Sequence, residues 1–435
     1  MHKIELNLNK LLVYRQLLDN EVIQKILAII ETLPTNKQNK TELTSYYCDI
    51  CYHLIKHAEN ERMSGNLWQN YIITLILEDK NVFSLACERS EKNVSRRIYD
   101  LAAHDIGILQ RLYNIDLEYI DEKTGTYNSA IINNFVPSGV PNHFHQGCLA
   151  KIEDLKKFFS QRNSLPSIIS RLADFYQETG CGEMWKYPAF RWDKGLRGIK
   201  DPDPIELEDL VGYEYQKKIL VNNTEAFIRG KKVNNLLLYG EKGTGKSSSV
   251  KALLNKYAAQ GLRMIEVPKN QLAEFTQIVK VIKDRGLRFI IFIDDLSFED
   301  FEAEYKHIKA SLEGSIEATP DNVIIYVTSN RRHLIRENWS DRQRTGEEEI
   351  YVSESYQEKL SLVDRFGIML LYQSPTQEQY LQIVEELARK NRITIPVEEL
   401  HKKAIQWEKR YHGRSGRTAQ QFITWLLHNE SNLSP

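Results

Sequence analysis

Apolar residues follow two regimes along this chain. Up to about Lys194 they recur at helical spacing, as at Ile98, Leu101, Ala102, Leu109 and Leu112, and predict a mainly helical stretch. Farther on they gather into short runs, Leu236–Tyr239, Arg263–Val267, Phe289–Ile293, Val323–Val327 and Ile368–Tyr372, each read as a buried strand. Helical stretches alternate with them at Ser248–Tyr257, Leu272–Lys283 and Tyr305–Ile316. Such alternation specifies an α/β fold, a parallel sheet flanked by helices on both faces. From Thr376 the pattern is helical only, with Pro396 opening one helix and Gly413 and Gly416 preceding another. Gly195–Pro204, reading GLRGIKDPDP, has the Gly, Pro and Asp content of a linker. The expected organisation is a mainly helical N-terminal domain over 1–199, an α/β core over 200–375 and a helical lid over 376–435.

The first strand of the core runs into Gly240, Glu241, Lys242, Gly243, Thr244, Gly245, Lys246 and Ser247, with a helix from Ser248. These eight residues, GEKGTGKS, match G-x-x-x-x-G-K-[ST] in the strand, loop, helix order that a phosphate-binding loop requires. Glycines let backbone N–H groups face an anion, and the new helix turns its positive end toward it. Lys246 is expected to reach the β and γ phosphates of a nucleoside triphosphate, and Ser247 to give a hydroxyl to Mg²⁺. Phe289–Ile293 ends in Asp294 and Asp295. Adjacent acids at a strand end can divide the work, Asp294 holding Mg²⁺ and Asp295 orienting or deprotonating water; acids here can also cap a following helix. Val323–Val327 leads to Thr328, Ser329 and Asn330, whose amide reads either as a sensor of the γ-phosphate or as a turn residue. Leu210, Val211 and Gly212 suit a turn beneath a purine base or a plain entry into a helix. Arg365 and Arg417 are cations that either stabilise a transferring phosphoryl group or form surface ion pairs.

The whole chain has 435 residues, 42% of them hydrophobic, enough for two or three domains with sizeable cores. Its 58 basic and 59 acidic residues nearly cancel, so a nucleic-acid partner has no support from net charge and requires a local patch. Met1–Leu18 lacks the apolar core of a signal peptide, and Tyr71–Leu77 is too short to span a bilayer; the expected place is the cytoplasm, with no membrane partner. Five scattered cysteines suit reduced thiols. Cys48, Cys51, His53 and His57, and separately His143, His145 and Cys148, offer ligand atoms without a completed zinc spacing, so packing is the expected role and Mg²⁺ the one expected metal.

Taken in order over residues 205–430, the Leu210-Val211-Gly212 box, GEKGTGKS, FIIFIDD, TSN, the DRFG arginine and the lid arginine resemble the AAA+ superfamily of ATPases. More closely, NNLLLYGEKGTGKSSSVKALLN, FIDDLSFED, LEGSIEATPDNVIIYVTSNRRHL and EKLSLVDRFG are similar to an uncharacterised bacterial group of predicted AAA+ ATPases, known as a domain of unknown function. The resemblance implies that ATP is bound with Mg²⁺ and hydrolysed, that Arg365 of one copy completes the site of the next in a homo-oligomer, and that Arg417 contacts the γ-phosphate of its own subunit. On that basis ATP hydrolysis is expected to move the N-terminal domain against an unknown protein partner. Asp295 stands where most members carry Glu, as in bacterial replication initiators and helicase loaders. That variant, with Arg331, Arg332 and His333 just past the sensor, motivates the alternative of a nucleotide-dependent scaffold or loader on DNA with little hydrolysis; the basic cluster also suits a helix start beside an acidic site. Glu337–Ser355 reads as an insertion without an assigned role.

Overall fold

A computed structural model describes residues 6–32, 40–90, 94–126, 129–160, 163–296, 320–330, 366–410 and 413–430. The chain divides into two compact units, one of Met1–Tyr187 with Arg285–Leu287, the other of Pro188–Asp284 with Arg288–Pro435. The boundary therefore falls before the stretch whose composition reads as a linker.

Unit 1 is helical among the described residues. It contains α1 (Glu21–Thr32), α2 (Lys40–Glu61), α3 (Leu67–Glu78), α4 (Val82–Arg89), α5 (Arg96–Tyr113), α6 (Leu117–Thr124), α7 (Ser129–Asn133), α8 (His143–Ser160) and α9 (Leu165–Thr179). Its core runs through the helices on one continuous set of apolar side chains, with Trp68, Tyr113, Tyr176 and Trp185 fully buried. On α5 the buried face is Ala102, Asp105, Ile106, Leu109 and Leu112, while Leu101 is exposed. Ala102, Leu109 and Leu112 are buried and Ile98 packs on the core as the spacing predicts, so Leu101 alone of that set faces out, and the inward face also includes a polar residue, Asp105. Its Oδ2 accepts the N–H groups of Leu12, Val13 and Tyr14 at 2.7–3.0 Å and so satisfies the incoming N-terminal segment. Glu88 plays a similar part: its buried carboxylate accepts Arg285 Nε and Nη2 at 2.7 and 2.5 Å, Gly286 N–H at 3.0 Å and Cys181 N–H at 2.9 Å. The two His/Cys groups flagged in the sequence lie on α2 and α8. Cys51 is buried, and His145 packs flat on Trp185 with its Nε2 hydrogen-bonded to the Glu61 carbonyl at 2.8 Å. Among the described residues no three or more His, Cys, Asp or Glu side chains gather as a metal site, and no helix is long and apolar enough to cross a membrane.

Unit 2 is an α/β sheet with helices. Its strands are β1 (Ala189–Trp192), β2 (Leu196–Ile199), β3 (Leu236–Gly240), β4 (Leu262–Glu266), β5 (Arg288–Ile293), β6 (Val323–Ser329) and β7 (Ile368–Tyr372), in the order β2-β1-β4-β5-β6-β3-β7. Neighbouring strands are parallel except β1 and β2, whose antiparallel pairing through the Asp193–Gly195 turn adds a hairpin to the sheet edge. This corrects the linker reading of Gly195–Pro204, which opens with a strand. β5 and β6 are buried along nearly their whole length, as strands covered on both faces must be. The register sets both Leu237 and Ile293 beside Val327, so β3, β5 and β6 end on the same side of the sheet, β5 first and the other two a few residues farther on. Helices α10 (Glu214–Ile228), α11 (Lys246–Tyr257) and α12 (Phe275–Ile282) follow, the last entered through a 3₁₀ turn at Lys269–Glu274. Buried Tyr326 of β6 has its hydroxyl satisfied by Thr224 and Asn223 of α10, which fastens that helix to the sheet. The C-terminal helices α13 (Gln377–Lys390), α14 (Val397–Arg410) and α15 (Gly416–Glu430) form a bundle around Tyr380, Val384, Ala404, Phe422 and Ile423. The helix expected at Tyr305–Ile316 lies outside the described residues.

Candidate functional site: a phosphate loop between sheet and lid

The loop after β3 is shaped by its glycines. Gly240 has φ 132°, and a Cβ there would meet the Tyr372 carbonyl oxygen at 2.1 Å; Gly243 and Gly245 have φ 79° and 88°. Gly245 caps α11, so the first-turn N–H groups of that helix are free of helical partners. Thr244 Oγ1 closes the loop by donating to the Glu241 carbonyl at 2.8 Å. Lys246, 4% exposed, folds back to donate to the carbonyls of Glu241 at 2.5 Å and Gly240 at 3.2 Å. Among the described residues no carboxylate pairs with it directly. Burial pulls its pKa down to about 8, opposed by the fields of Asp295, Asp294 and Glu241 and aided by Arg417. A buried ammonium held by carbonyls alone is a seat for an anion.

Beside the loop, the ends of β5 and β6 meet. Ser247 Oγ and Thr328 Oγ1 both donate to Asp294 Oδ1 at 2.5 Å, and Thr328 Oγ1 accepts the Asp295 N–H at 2.8 Å. A hydroxyl beside a carboxylate is a donor set that a hard divalent cation takes, so Ser247 and Asp294 fit Mg²⁺. Asp295 adopts φ 56°, a left-handed conformation that Asp tolerates better than most residues but that still costs backbone energy. Its Oδ1 accepts from Asn330 Nδ2, and its Oδ2 lies 3.6 Å from Lys269 Nζ.

The C-terminal helices border this group. The Arg417 N–H points at the Gly243 carbonyl at 3.4 Å, Ser415 packs against Gly243, and Lys390 pairs with Asp209. Val211 packs on the lid core, and Gly212 and Tyr213, with φ 83° and 59°, turn the chain into α10. The cleft so enclosed measures about 890 Å³, at the upper end of common ligand pockets. Of the residues expected from the sequence, it brings together Lys242–Ser248, Val211, Asp294, Asp295, Asn330 and Arg417. Gly240, Glu241 and Gly212 stand behind its wall and shape it through their backbones; the Glu241 carboxylate turns away to Ser374. Arg365, the Arg331–His333 cluster and Glu337–Ser355 lie outside the described residues. Thr328 and Lys269 join the group without any sequence pattern that marks them for a role. Each sits at or just past the C-terminal end of a strand, β6 and β4, which is where an open α/β sheet places its chemistry.

Residues 185–430, more than half of the chain, match the family model described as a protein of unknown function, DUF815. No curated protein matches the chain. Among solved structures it is similar to a proline-to-glycine mutant of Thermotoga maritima RuvB, 17% identical over 51% of this chain and 64% of that one, TM-score 0.36. It is also similar to the Thermotoga maritima RuvB Holliday junction branch migration motor, 16% identical over 51% and 72%, TM-score 0.31, and to C. elegans PCH-2, 21% identical over 49% and 63%, TM-score 0.35. The chain covers less than two thirds of the first of these structures. Likenesses this slight carry no argument, and the family match names no activity.

Proposed function

The chain belongs to the DUF815 family, and from the geometry of its cleft we propose that it is an ATPase of the AAA+ type, binding ATP between sheet and lid and using hydrolysis to change the conformation of a bound partner. The observation that carries this reading is one hydrogen-bonded set, Ser247, Asp294, Thr328, Asp295 and Asn330, beside a buried Lys246 in a single cleft. ATP with Mg²⁺ brings a γ-phosphoryl group whose transfer to water spreads negative charge over its oxygens. Lys246 and the first-turn N–H groups of α11 hold that charge. Ser247 and Asp294 provide oxygens to the cation, and Thr328 fixes the Asp294 carboxylate while tying the backbone of Asp295. Asp295 orients the attacking water and takes its proton, with Asn330 aligning the carboxylate. Arg417, on the lid, adds positive charge at the phosphate end. In this proposal the protein is a homo-oligomer in which a neighbour's Arg365 completes the site, and unit 1 engages a protein partner.

ATP turnover and equilibrium binding of the wild type, Lys246→Ala and Asp295→Asn test the reading. Lys246→Ala is expected to lose ATP binding. Asp295→Asn is expected to bind ATP with little change and to turn it over about 10² to 10⁴ times more slowly. Full turnover in Asp295→Asn removes that residue from the chemistry, ATP binding undiminished in Lys246→Ala removes Lys246 from the binding site, and a wild type that binds no ATP removes the nucleotide reading altogether.

A second reading rests on the way Asp295 is held. Asn330 engages one oxygen, Lys269 lies near the other, and the backbone is left-handed. A carboxylate held through both oxygens is less free to turn toward a water, which supports a switch or scaffold that binds ATP and hydrolyses it slowly. Under this reading Lys269→Ala speeds turnover several-fold; under the first it leaves kcat unchanged or lowers it.

A further inference from the structure

The end of β7 holds the phosphate loop at both of its ends through one residue. Tyr372 is fully buried, and its carbonyl accepts the Glu241 N–H at 3.1 Å, where the loop begins. Its hydroxyl donates to Ser249 Oγ at 3.1 Å, where the loop has passed into α11. Ser249, also buried, donates its own proton to the Gly245 carbonyl at 2.8 Å, and that carbonyl accepts the Ser249 N–H as well, at 2.8 Å. The tyrosine is itself fixed: its ring stacks on Tyr213 with centroids 4.8 Å apart. The carbonyls on either side of it, those of Leu371 and Gln373, accept Gln216 Nε2 at 2.8 Å and the Tyr213 hydroxyl at 2.7 Å. Burial pushes the Tyr372 hydroxyl up to about 12, so it stays a protonated donor at neutral pH.

These bonds reach the phosphate seat through the geometry of the peptide. A trans peptide is planar with its C=O and N–H pointing opposite ways, so holding one aims the other. At the start of the loop Tyr372 holds the Glu241 N–H, and the Gly240 carbonyl of the same peptide accepts Lys246 Nζ at 3.2 Å. At its end two hydrogen bonds hold the Gly245 carbonyl. The Lys246 N–H of that peptide is thereby turned out of the N-terminal end of α11, the end that suits an anion. We propose that Tyr372, acting through Ser249, positions the main-chain N–H of Lys246 for a phosphate group. The proposal rests on the nucleotide reading above and adds to it the means by which the last strand of the core sets the phosphate seat. Tyr372 is a positioning residue, since it stands behind the cleft wall and acts through Ser249.

Calorimetric binding of ATP and of inorganic tripolyphosphate to the full chain tests this, for the wild type, Tyr372→Phe, Ser249→Ala and the double variant, with urea unfolding of each. Tyr372→Phe keeps the ring and the carbonyl and removes only the hydroxyl. Each single variant is expected to bind both ligands about five- to ten-fold more weakly, by a similar factor for the two, because the lost contact is to phosphate. The double variant is expected to match the weaker single variant within about two-fold, because both hydroxyls serve one peptide. A role in packing alone lowers stability and leaves the affinities of the folded protein as they were, so that result overturns the proposal. A loss confined to ATP overturns it, as do losses that multiply in the double variant. If Tyr372→Phe does not fold, Ser249→Ala decides, wild-type affinity for tripolyphosphate in that variant overturning the proposal. A wild type that binds neither ligand removes the nucleotide reading and this role with it, whereas a wild type and variants that bind alike remove this role alone.

Discussion

Asp79, at the end of α3, is 6% exposed and has no hydrogen-bond partner for either carboxylate oxygen. Burial lifts its pKa to about 6 from 3.8; the nearby Asn81 amide, not bonded to it in good geometry, opposes the shift and the Asp105 carboxylate adds to it. Because the folded-state pKa is the higher one, the contribution to stability is most favourable below 3.8 and is lost as pH rises through about 6. Asp79→Asn is therefore expected to stabilise the protein at pH 7 by on the order of 1–3 kcal/mol and to change it little at pH 4, as read by urea unfolding at both pH values. Lys246 has the opposite kind of shift. With its pKa at about 8, part of the population loses the ammonium charge in mildly alkaline solution. Affinity for ATP is expected to fall as pH rises from 7 to 9, and binding near pH 8 to take up protons, visible as heats that depend on the ionisation enthalpy of the buffer. Binding heats that are the same in every buffer at pH 8 contradict this.

Among the elements, the strand entering the phosphate loop has the least room for change. Gly240→Ala places a methyl 2.1 Å from a backbone oxygen of β7 at a φ that alanine does not adopt, whereas Gly195, in the β1–β2 turn, has open space around it. The first substitution is expected to cost roughly 2–4 kcal/mol and the second less than about 0.5, a contrast that thermal unfolding of the two variants resolves. The same contrast explains what was legible in the sequence. β3, β5 and β6 are covered on both faces, so their residues had to be continuously apolar and their boundaries were readable to within about two residues. β1 and β2 are only four residues each: β2 is the edge strand, with Arg197 exposed and two glycines in or beside it, so its composition imitates a linker, while β1 is too short to interrupt a stretch that reads as helical. On α5 the spacing of Ile98, Ala102, Leu109 and Leu112 gave the buried face correctly and Leu101 falls at its margin, while Asp105, a polar residue that holds a distant backbone segment, has no place in an apolar pattern. Thr328 and Lys269 followed the same logic, since their significance comes from strands brought side by side rather than from any spacing along the chain.

For the whole molecule, the proposed homo-oligomer predicts that ATP turnover per subunit rises with protein concentration in step with mass measured by light scattering. In Arg365→Ala the turnover is expected to fall about 10³-fold or more with ATP affinity retained. Turnover per subunit that is constant from a dispersed to an assembled state rules out a shared site. A different consequence follows from Glu88 and the division of the chain. Unit 1 contains residues 285–287, so a break between Tyr187 and Pro188 yields neither unit whole: the first piece keeps a buried carboxylate without Arg285, and the second carries an arginine without its acceptor. During synthesis from the N-terminus, the first 187 residues leave the ribosome with this site still open. It can be filled only after β1 to β4 and residues 285–287 have emerged, just ahead of β5 with Asp294 and Asp295 at its end. Completion of the N-terminal unit thus waits on the making of more than half of the seven-stranded sheet, and the two units of the protein mature on overlapping timetables.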